Sequence, residues 1–228
     1  MRDASMVERY SGLQARLHDR LIAERALKLH EHVMAETGLM RLLGQPQERR
    51  LLDVGCGGGQ AAIRLAERYS HLRVTGIDLS NVMIRGASER ARRRRSRARF
   101  AVADAQALPF PDESFEFVVS FGSAKHWPDP VSGFGECWRV LRPGGELLVA
   151  DATSDASPED VGNFFDFAGL PGILKRPMVA ILLRRMFRPA RPVETYRHIA
   201  QDVGMPPGTV SGMPSLPVFL FRTRKPPR

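Results

Sequence analysis

Short apolar runs alternate with stretches of helical periodicity through the middle of the chain. The runs are "LLDV" (51–54), "RVTGID" (73–78), "ARFAVAD" (98–104), "FEFVVSF" (115–121) and "GELLVAD" (145–151). Between them lie helical candidates near 59–70, 80–95 and 131–141. Such alternation predicts βαβ units, hence an α/β fold whose doubly wound, mostly parallel sheet is covered on both faces. Upstream, Leu13, Leu17, Leu21, Ala26, Leu29 and Val33 recur at helical steps, which predicts one or two amphipathic helices between Val7 and about Ala35. "GQPQERR" (44–50) stops that pattern. Downstream, 157–192 is apolar, basic and interrupted by proline, with no clear strand. A helical candidate at 193–204 and strand candidates at 209–213 and 217–225 follow, the last two close enough for an antiparallel hairpin at the sheet edge.

Four of the five runs end at or beside Asp53, Asp78, Asp104 or Ser120. Carboxyl ends of strands are where open α/β sheets bind ligands. Directly after the first run, Gly55, Gly57 and Gly59 alternate with other residues. Alone, that spacing is equally a tight strand-to-helix turn or a ligand loop that exposes backbone amides. The company of the acids decides between them. Asp78 ends the second run, placed to accept both hydroxyls of a ribose. Asp104 and Ala105 end the third, placed to read an adenine edge with a carboxylate and a backbone amide. Asp53 precedes the glycines and suits a cationic amino group. Three acids along one cleft disfavour a polyphosphate, so the ligand expected is a nucleoside with a cationic tail.

Composition narrows the setting. Apolar residues are 43% and charged residues 26%, ordinary for a soluble globular chain of 228 residues. No run of eighteen apolar residues occurs, and the charged N-terminus lacks a secretory h-region. Only Cys56 and Cys137 are present, too few for a disulfide framework or a cysteine zinc site. A cytoplasmic setting is the expectation. The net charge of +9 is concentrated: "RARRRRSRAR" (90–99) holds seven arginines, and without them the chain carries +2. A solvated helix end and a footprint for an anionic partner are both open readings of that segment.

The pieces "LLDVGCGGG", "VTGIDLS", "VADAQALPFPDESFEFVVS" and "WRVLRPGGELLVAD" together resemble the class I S-adenosylmethionine-dependent methyltransferases. The likeness is to their small-molecule branch, which includes quinone-biosynthesis enzymes (methyltransferase type 11), and in order and spacing it covers residues 51–151. It implies a Rossmann-like, seven-stranded sheet with an antiparallel last strand. It implies S-adenosyl-L-methionine as cofactor and S-adenosyl-L-homocysteine as product. Gly55, Cys56, Gly57 and their backbone would hold the methionine part and Asp78 the ribose. Leu79, Asp104 and Ala105 would contact the adenine, and the Ser120 carbonyl the amino group, beside Asp53. Tyr10, in a segment that resembles a cofactor-covering one, is a further candidate contact. The chain then divides, as one domain, into a helical cap (1–48), a cofactor core (49–156), a substrate-covering insertion (157–192) and a last helix with hairpin (193–228). "RVLRPGGELLVAD" supplies a Pro143-Gly144-Gly145 turn between a helix and a strand, with no catalytic part.

A sulfonium methyl is already activated, so the enzyme's task is alignment, with a base where the acceptor must lose a proton. His126, after the fourth run in "SFGSAKHWPDP", is the first candidate base; His18 and His198 are weaker ones. Trp127, Phe164, Phe165 and Phe167 are candidates for the acceptor wall, or plain core. The basic, greasy stretch 173–191, with Lys175, Arg176, Arg184, Arg185, Arg188 and Arg191, reads either as a buried lid or as a peripheral membrane contact. The expected substrate is a small, lipophilic acceptor. Nucleic acid is not the expected substrate, because no Asn/Asp-Pro-Pro-aromatic motif follows the fourth run and neither cysteine is placed as a pyrimidine nucleophile. RNA-directed transfer through the arginine segment and a non-catalytic cofactor-binding protein remain the rival readings. No carboxylate set for a metal is identified.

Overall fold

A computed structural model describes residues 23–167, 179–181, 183–188, 190–206 and 209–228. Its centre is a seven-stranded sheet built from β1 (Arg49–Val54), β2 (Leu72–Asp78), β3 (Arg99–Val102), β4 (Phe115–Phe121), β5 (Leu141–Ala152), β6 (Thr209–Gly212) and β7 (Val218–Arg224). The order across the sheet is β3-β2-β1-β4-β5-β7-β6. β1 to β5 are mutually parallel, while β7 runs antiparallel to both β5 and β6. The antiparallel last strand and the edge hairpin are as the sequence implies. Strand order reverses between β1 and β4, which opens a crevice at their carboxyl ends.

The helices are α1 (Ala23–Glu36), α2 (Leu39–Leu43), α3 (Gln60–Arg68), α4 (Asn81–Arg94), α5 (Pro130–Val140), α6 (Pro158–Phe167) and α7 (Val193–Asp202). Neighbouring strand residues feed opposite faces, as a pleated strand requires. Leu51, Val119 and Leu148 join one core with Val33, Leu39, Ile63 and Leu65 from α1, α2 and α3. Leu52, Val118, Leu147 and Val149 join the other with Phe134, Cys137, Tyr196 and Ile199 from α5 and α7. Cys137 is therefore core: burial pushes its thiol up to about 12.

Two local findings add to the sequence expectation. α2 is a further short helix, entered through Gly38 in left-handed geometry (φ 69°), beyond the helical stretch expected to end near Ala35. Pro143-Gly144-Gly145 lies inside β5 instead of before it. The pairing with β4 jumps from Phe115↔Leu141 to Phe117↔Glu146, so the extra residues bulge out and the strand resumes. Among the described residues no helix is long and apolar enough to cross a membrane, and no cluster of three metal-ligating side chains forms.

Candidate functional site

The glycine turn between β1 and α3 is held from below by one carbonyl. Both the Gly55 and the Cys56 N–H donate to Ile77 O at 2.8 Å. Gly55 (φ 75°) must be glycine for a steric reason as well, since a Cβ there would lie 1.9 Å from Ser123 Oγ in the loop after β4. Gly57 (φ 52°) is different: a Cβ there would meet nothing within 4 Å. Its face of the loop is open, as a ligand would need. The Arg90 guanidinium donates to Gly58 O and ties the turn to α4.

Asp78, at the end of β2, accepts from Gly57 N–H (2.9 Å) through Oδ2 and from Ser80 N–H (2.9 Å) through Oδ1. Two oxygens offer about four lone-pair sites, so two remain for an outside pair of donors. Beside it Leu79 is 50% exposed, an apolar surface at a strand end with no packing duty. Asp104 is anchored by Gln106, whose backbone N–H donates to Oδ1 at 2.9 Å, and Ala103 N–H donates to Asp78 O at 3.1 Å. Ala105 is half-buried next to it. Asp53 is 2% exposed, and burial, then the neighbouring Asp78 charge, pushes its carboxyl up to about 7. Ser120 is fully buried and its Oγ has no hydrogen-bond partner among the described residues. Burial first, with Asp53 and Asp78 adding to it, holds the Cys56 thiol well above the ordinary range, so it is no nucleophile. Asp53, Gly55, Cys56, Gly57, Asp78, Leu79, Asp104, Ala105 and Ser120 are thus brought to the carboxyl edge of β1 to β4. Tyr10 and His18 lie outside the described residues.

The loop after β4 is clamped from three sides. Lys125 Nζ donates to Asp151 Oδ1 (2.8 Å) and to Gly122 O (2.7 Å), while Lys125 N–H donates to Asp151 Oδ2 (2.8 Å). Arg191 reaches the carbonyls of Ala124 (3.4 Å), Lys125 (3.3 Å) and Trp127 (3.1 Å). Trp127 Nε1 donates to Ser123 Oγ at 3.1 Å. The single helical turn Ala124–His126 so held carries His126, which is exposed. Partial desolvation by its neighbours first, then the adjacent Lys125 charge, lowers the His126 pKa; Asp151 and Asp78 act in the opposite sense. A neutral imidazole near Asp78 can accept a proton.

Several expected residues fall elsewhere. Trp127 is core, 6% exposed and edge-on to Phe134 at 5.7 Å, and Phe165 is 2% exposed. Phe164 stands edge-on to Phe187, and Phe167 lies 5.4 Å from the His32 ring. His198 is exposed on α7, 3.8 Å from Glu194, away from the crevice. Arg191 faces the loop carbonyls, so it is not part of an outward basic face; Lys175 and Arg176 lie outside the described residues. Lys125, Asp151 and Arg191 as loop clamps were not expected. Asp151 ends the fifth apolar run just as Asp53 and Asp78 end theirs, which is the signal that was available.

The arginine segment lies at the other end of the molecule. α4 starts at the carboxyl end of β2 and runs back for 14 residues, about 21 Å, so the segment from Arg92 onward lies at its far end and beyond. Arg90 alone reaches back to the glycine turn, through Gly58 O.

Comparison with known proteins agrees with this geometry. Residues 52–149 match the family model described as "Methyltransferase domain". The chain is 34% identical over 194 residues to the 2-methyl-6-phytyl-1,4-hydroquinone methyltransferase of Synechocystis sp., covering 83% of this chain and 57% of that protein. It is 42% identical over 111 residues to the 27-O-demethylrifamycin SV methyltransferase of Amycolatopsis mediterranei, covering 48% and 40%. This chain thus spans about half the length of such curated relatives. In fold it is similar to a SAM-dependent methyltransferase from Aquifex aeolicus, with a TM-score of 0.63 at 17% identity over 82% of this chain and 88% of that one. It is also similar to the Haemonchus contortus phosphoethanolamine N-methyltransferase 2, with a TM-score of 0.67 at 18% identity over 96% and 58%. Through residues 52–149 the chain belongs to the methyltransferase-domain family, and its fold is that of the class I S-adenosylmethionine-dependent enzymes.

Proposed function

We propose that this chain binds S-adenosyl-L-methionine at the carboxyl edge of β1 to β4 and moves its methyl group to a small, lipophilic acceptor. The observation that carries the reading is the Asp78 carboxylate, held by the Gly57 and Ser80 amides beside exposed Leu79 and the open face of Gly57. A ribose takes the two remaining acceptor sites of Asp78, and the adenine lies on Leu79 toward Asp104 and Ala105. The amino group meets Asp53 and the Ser120 carbonyl. This acidic edge suits a cationic ligand and repels a polyphosphate.

When bound, S-adenosyl-L-methionine supplies a methyl activated on a sulfonium sulfur. The protein's part is placement: well-oriented reactants gain on the order of 7–11 kcal/mol. His126 is the group that takes the acceptor's proton, a task worth roughly 10²–10⁴-fold. α6, which opens the expected covering insertion, forms the acceptor's other wall. A phytyl hydroquinone and 27-O-demethylrifamycin SV are the acceptors named for two of the relatives, which supports a lipophilic, hydroxylated class.

Titration calorimetry with S-adenosyl-L-homocysteine tests the cofactor part. Asp78→Ala should weaken binding at least about 10-fold, the value of lost hydrogen bonds to a charged group, with the fold intact. Unchanged affinity removes the ribose assignment. Labelled-methyl transfer into a lipid extract, read by mass spectrometry, tests the acceptor class. Tight cofactor binding with no transfer to any fraction favours a non-catalytic cofactor-binding protein instead. The RNA-directed reading has no support from the crevice, because the exposed arginines from Arg92 onward lie at or beyond the opposite end of α4.

A further inference from the structure

Seven arginines fall within residues 90–99, and the fold uses two of them. Arg90 donates to Gly58 O, and Arg94 makes two 2.7 Å hydrogen bonds to Glu67. Arg92, Arg93, Arg95, Arg97 and Arg99 are exposed and make no ion pair with any described residue. Glu89, one helical turn before Arg93, pairs with none of them. The helix dipole favours cations in the last turn of α4, which accounts for Arg92 and Arg93. It does not account for Arg95, Arg97 and Arg99, which lie beyond the helix.

Arg95 is the informative residue. It closes α4 with φ 53° and ψ 31°, and Ser96 N–H returns to Ala91 O at 2.9 Å, a left-handed helix stop that glycine ordinarily fills. A long side chain there is strained, and its charge adds to the repulsion among its neighbours. Stability alone would select glycine or asparagine at 95. A cation kept at a conformational cost, in an unpaired cluster, marks a surface retained for binding.

We propose that this corner, formed by the end of α4, the left-handed turn and the edge strand β3, binds the phosphate backbone of a nucleic acid as a partner and not as a methyl acceptor. The end of α4 lies about 21 Å along that helix from the crevice, so a strand bound there is not presented to His126. Among the described residues the exposed large apolar side chains are Leu79, Val82, Val102, Val131 and Ile181; Val82 and Val102 share α4 and β3 with the cluster but sit at the opposite, crevice ends of those elements. A bilayer would therefore find no apolar anchor beside the charge. A flexible single strand can wrap the corner, and without aromatic platforms it is held through phosphates with no sequence preference.

Fluorescence anisotropy with a labelled oligoribonucleotide of about 16 nucleotides tests this. With four phosphate contacts, affinity should fall about 50-fold between about 50 and about 200 mM salt. A combined Arg92→Glu, Arg93→Glu, Arg97→Glu variant should lose the RNA while S-adenosyl-L-homocysteine affinity, which reports the intact fold, is unchanged. Arg95→Gly should weaken RNA binding several-fold and yet raise Tm by about 2–4 °C, whereas Arg95→Lys keeps the affinity. The proposal is overturned by salt-insensitive or absent binding, by a triple variant that binds as well as the parent, or by an Arg95→Gly that changes neither property. Tighter binding to phosphatidylglycerol vesicles or polyglutamate than to RNA also overturns it, as does labelled methyl recovered in the oligonucleotide.

Discussion

The two sides of the crevice are built differently. The side made by β1, β2 and β3 is assembled from the backbone: a glycine turn, strand-end acids and the N-terminus of α4, each contact spanning about one βα unit. The side made by β4, β5 and the following segments is assembled from side chains brought from far apart. Lys125 meets Asp151 across 26 residues, and Arg191 meets Trp127 across 64. The first side is rigid because chain geometry leaves few options. The second holds its shape only while its charged and hydrogen-bonded contacts persist, as befits the half that must suit a particular acceptor.

The largest expected effect is therefore on the second side. The Asp151 side chain is fully buried and Lys125 is 15% exposed, so Lys125→Met leaves an uncompensated buried carboxylate. Removing one partner of such a pair costs about 3–5 kcal/mol, and adding Asp151→Asn should recover much of it. Denaturant midpoints measure this; a midpoint equal to the parent's would mean the clamp does not hold the loop. Next comes the point where the two sides touch. Gly55→Ala combines a left-handed backbone with a clash on Ser123 Oγ and should cost about 2–4 kcal/mol and most cofactor affinity. Gly57→Ala, facing open space, should cost about 1–2 kcal/mol through backbone strain alone. Equal destabilisation by the two would erase the distinction between a steric and an open glycine.

The same division explains what could be read from the sequence. The presence and sequence positions of the strands, the glycine turn and the placement of Asp53, Asp78 and Asp104 at the carboxyl edge were legible because each depends on local periodicity or on a residue type near a strand end. Trp127 was a candidate for the pocket wall, yet it fills the space left by Gly133, where a Cβ would lie 2.4 Å from the indole. That contact depends on how α5 docks, which no local pattern states. Lys125 drew no reading, and Arg191 read as part of a lid or membrane face, because their partners are far along the chain. Pro143-Gly144-Gly145 reads as a turn in any window; only the register against β4 makes it a bulge within β5.

A smaller effect is expected at His126, where the two sides meet the reaction. His126→Ala should lower turnover about 10²-fold with cofactor affinity unchanged. Partial desolvation and Lys125 lower its pKa, so it is neutral at physiological pH, and the rate should be flat there and decline only on acidification below the ordinary histidine range. A parental rate in the variant would remove it from proton transfer.

The smallest effect is a proton linkage on the first side. The Asp53 carboxyl, raised to about 7 by burial and by Asp78, is partly protonated at neutral pH. A cationic amino group placed beside it favours the carboxylate, so cofactor binding should release a proton. Affinity should then rise with pH up to about 7, by at most tenfold per unit, and level off above. The sign for stability is opposite. The folded chain holds this proton more tightly than the unfolded one, so stability falls as pH rises from about 4 to about 7. Asp53→Asn should therefore melt a few degrees above the parent at about pH 8, lose that advantage near pH 4, and bind cofactor with a flat pH profile. Calorimetry in buffers of different ionisation enthalpy counts the proton directly. Binding with no proton release near neutrality would mean that Asp53 stays neutral and that the amino group is held by the Ser120 carbonyl alone.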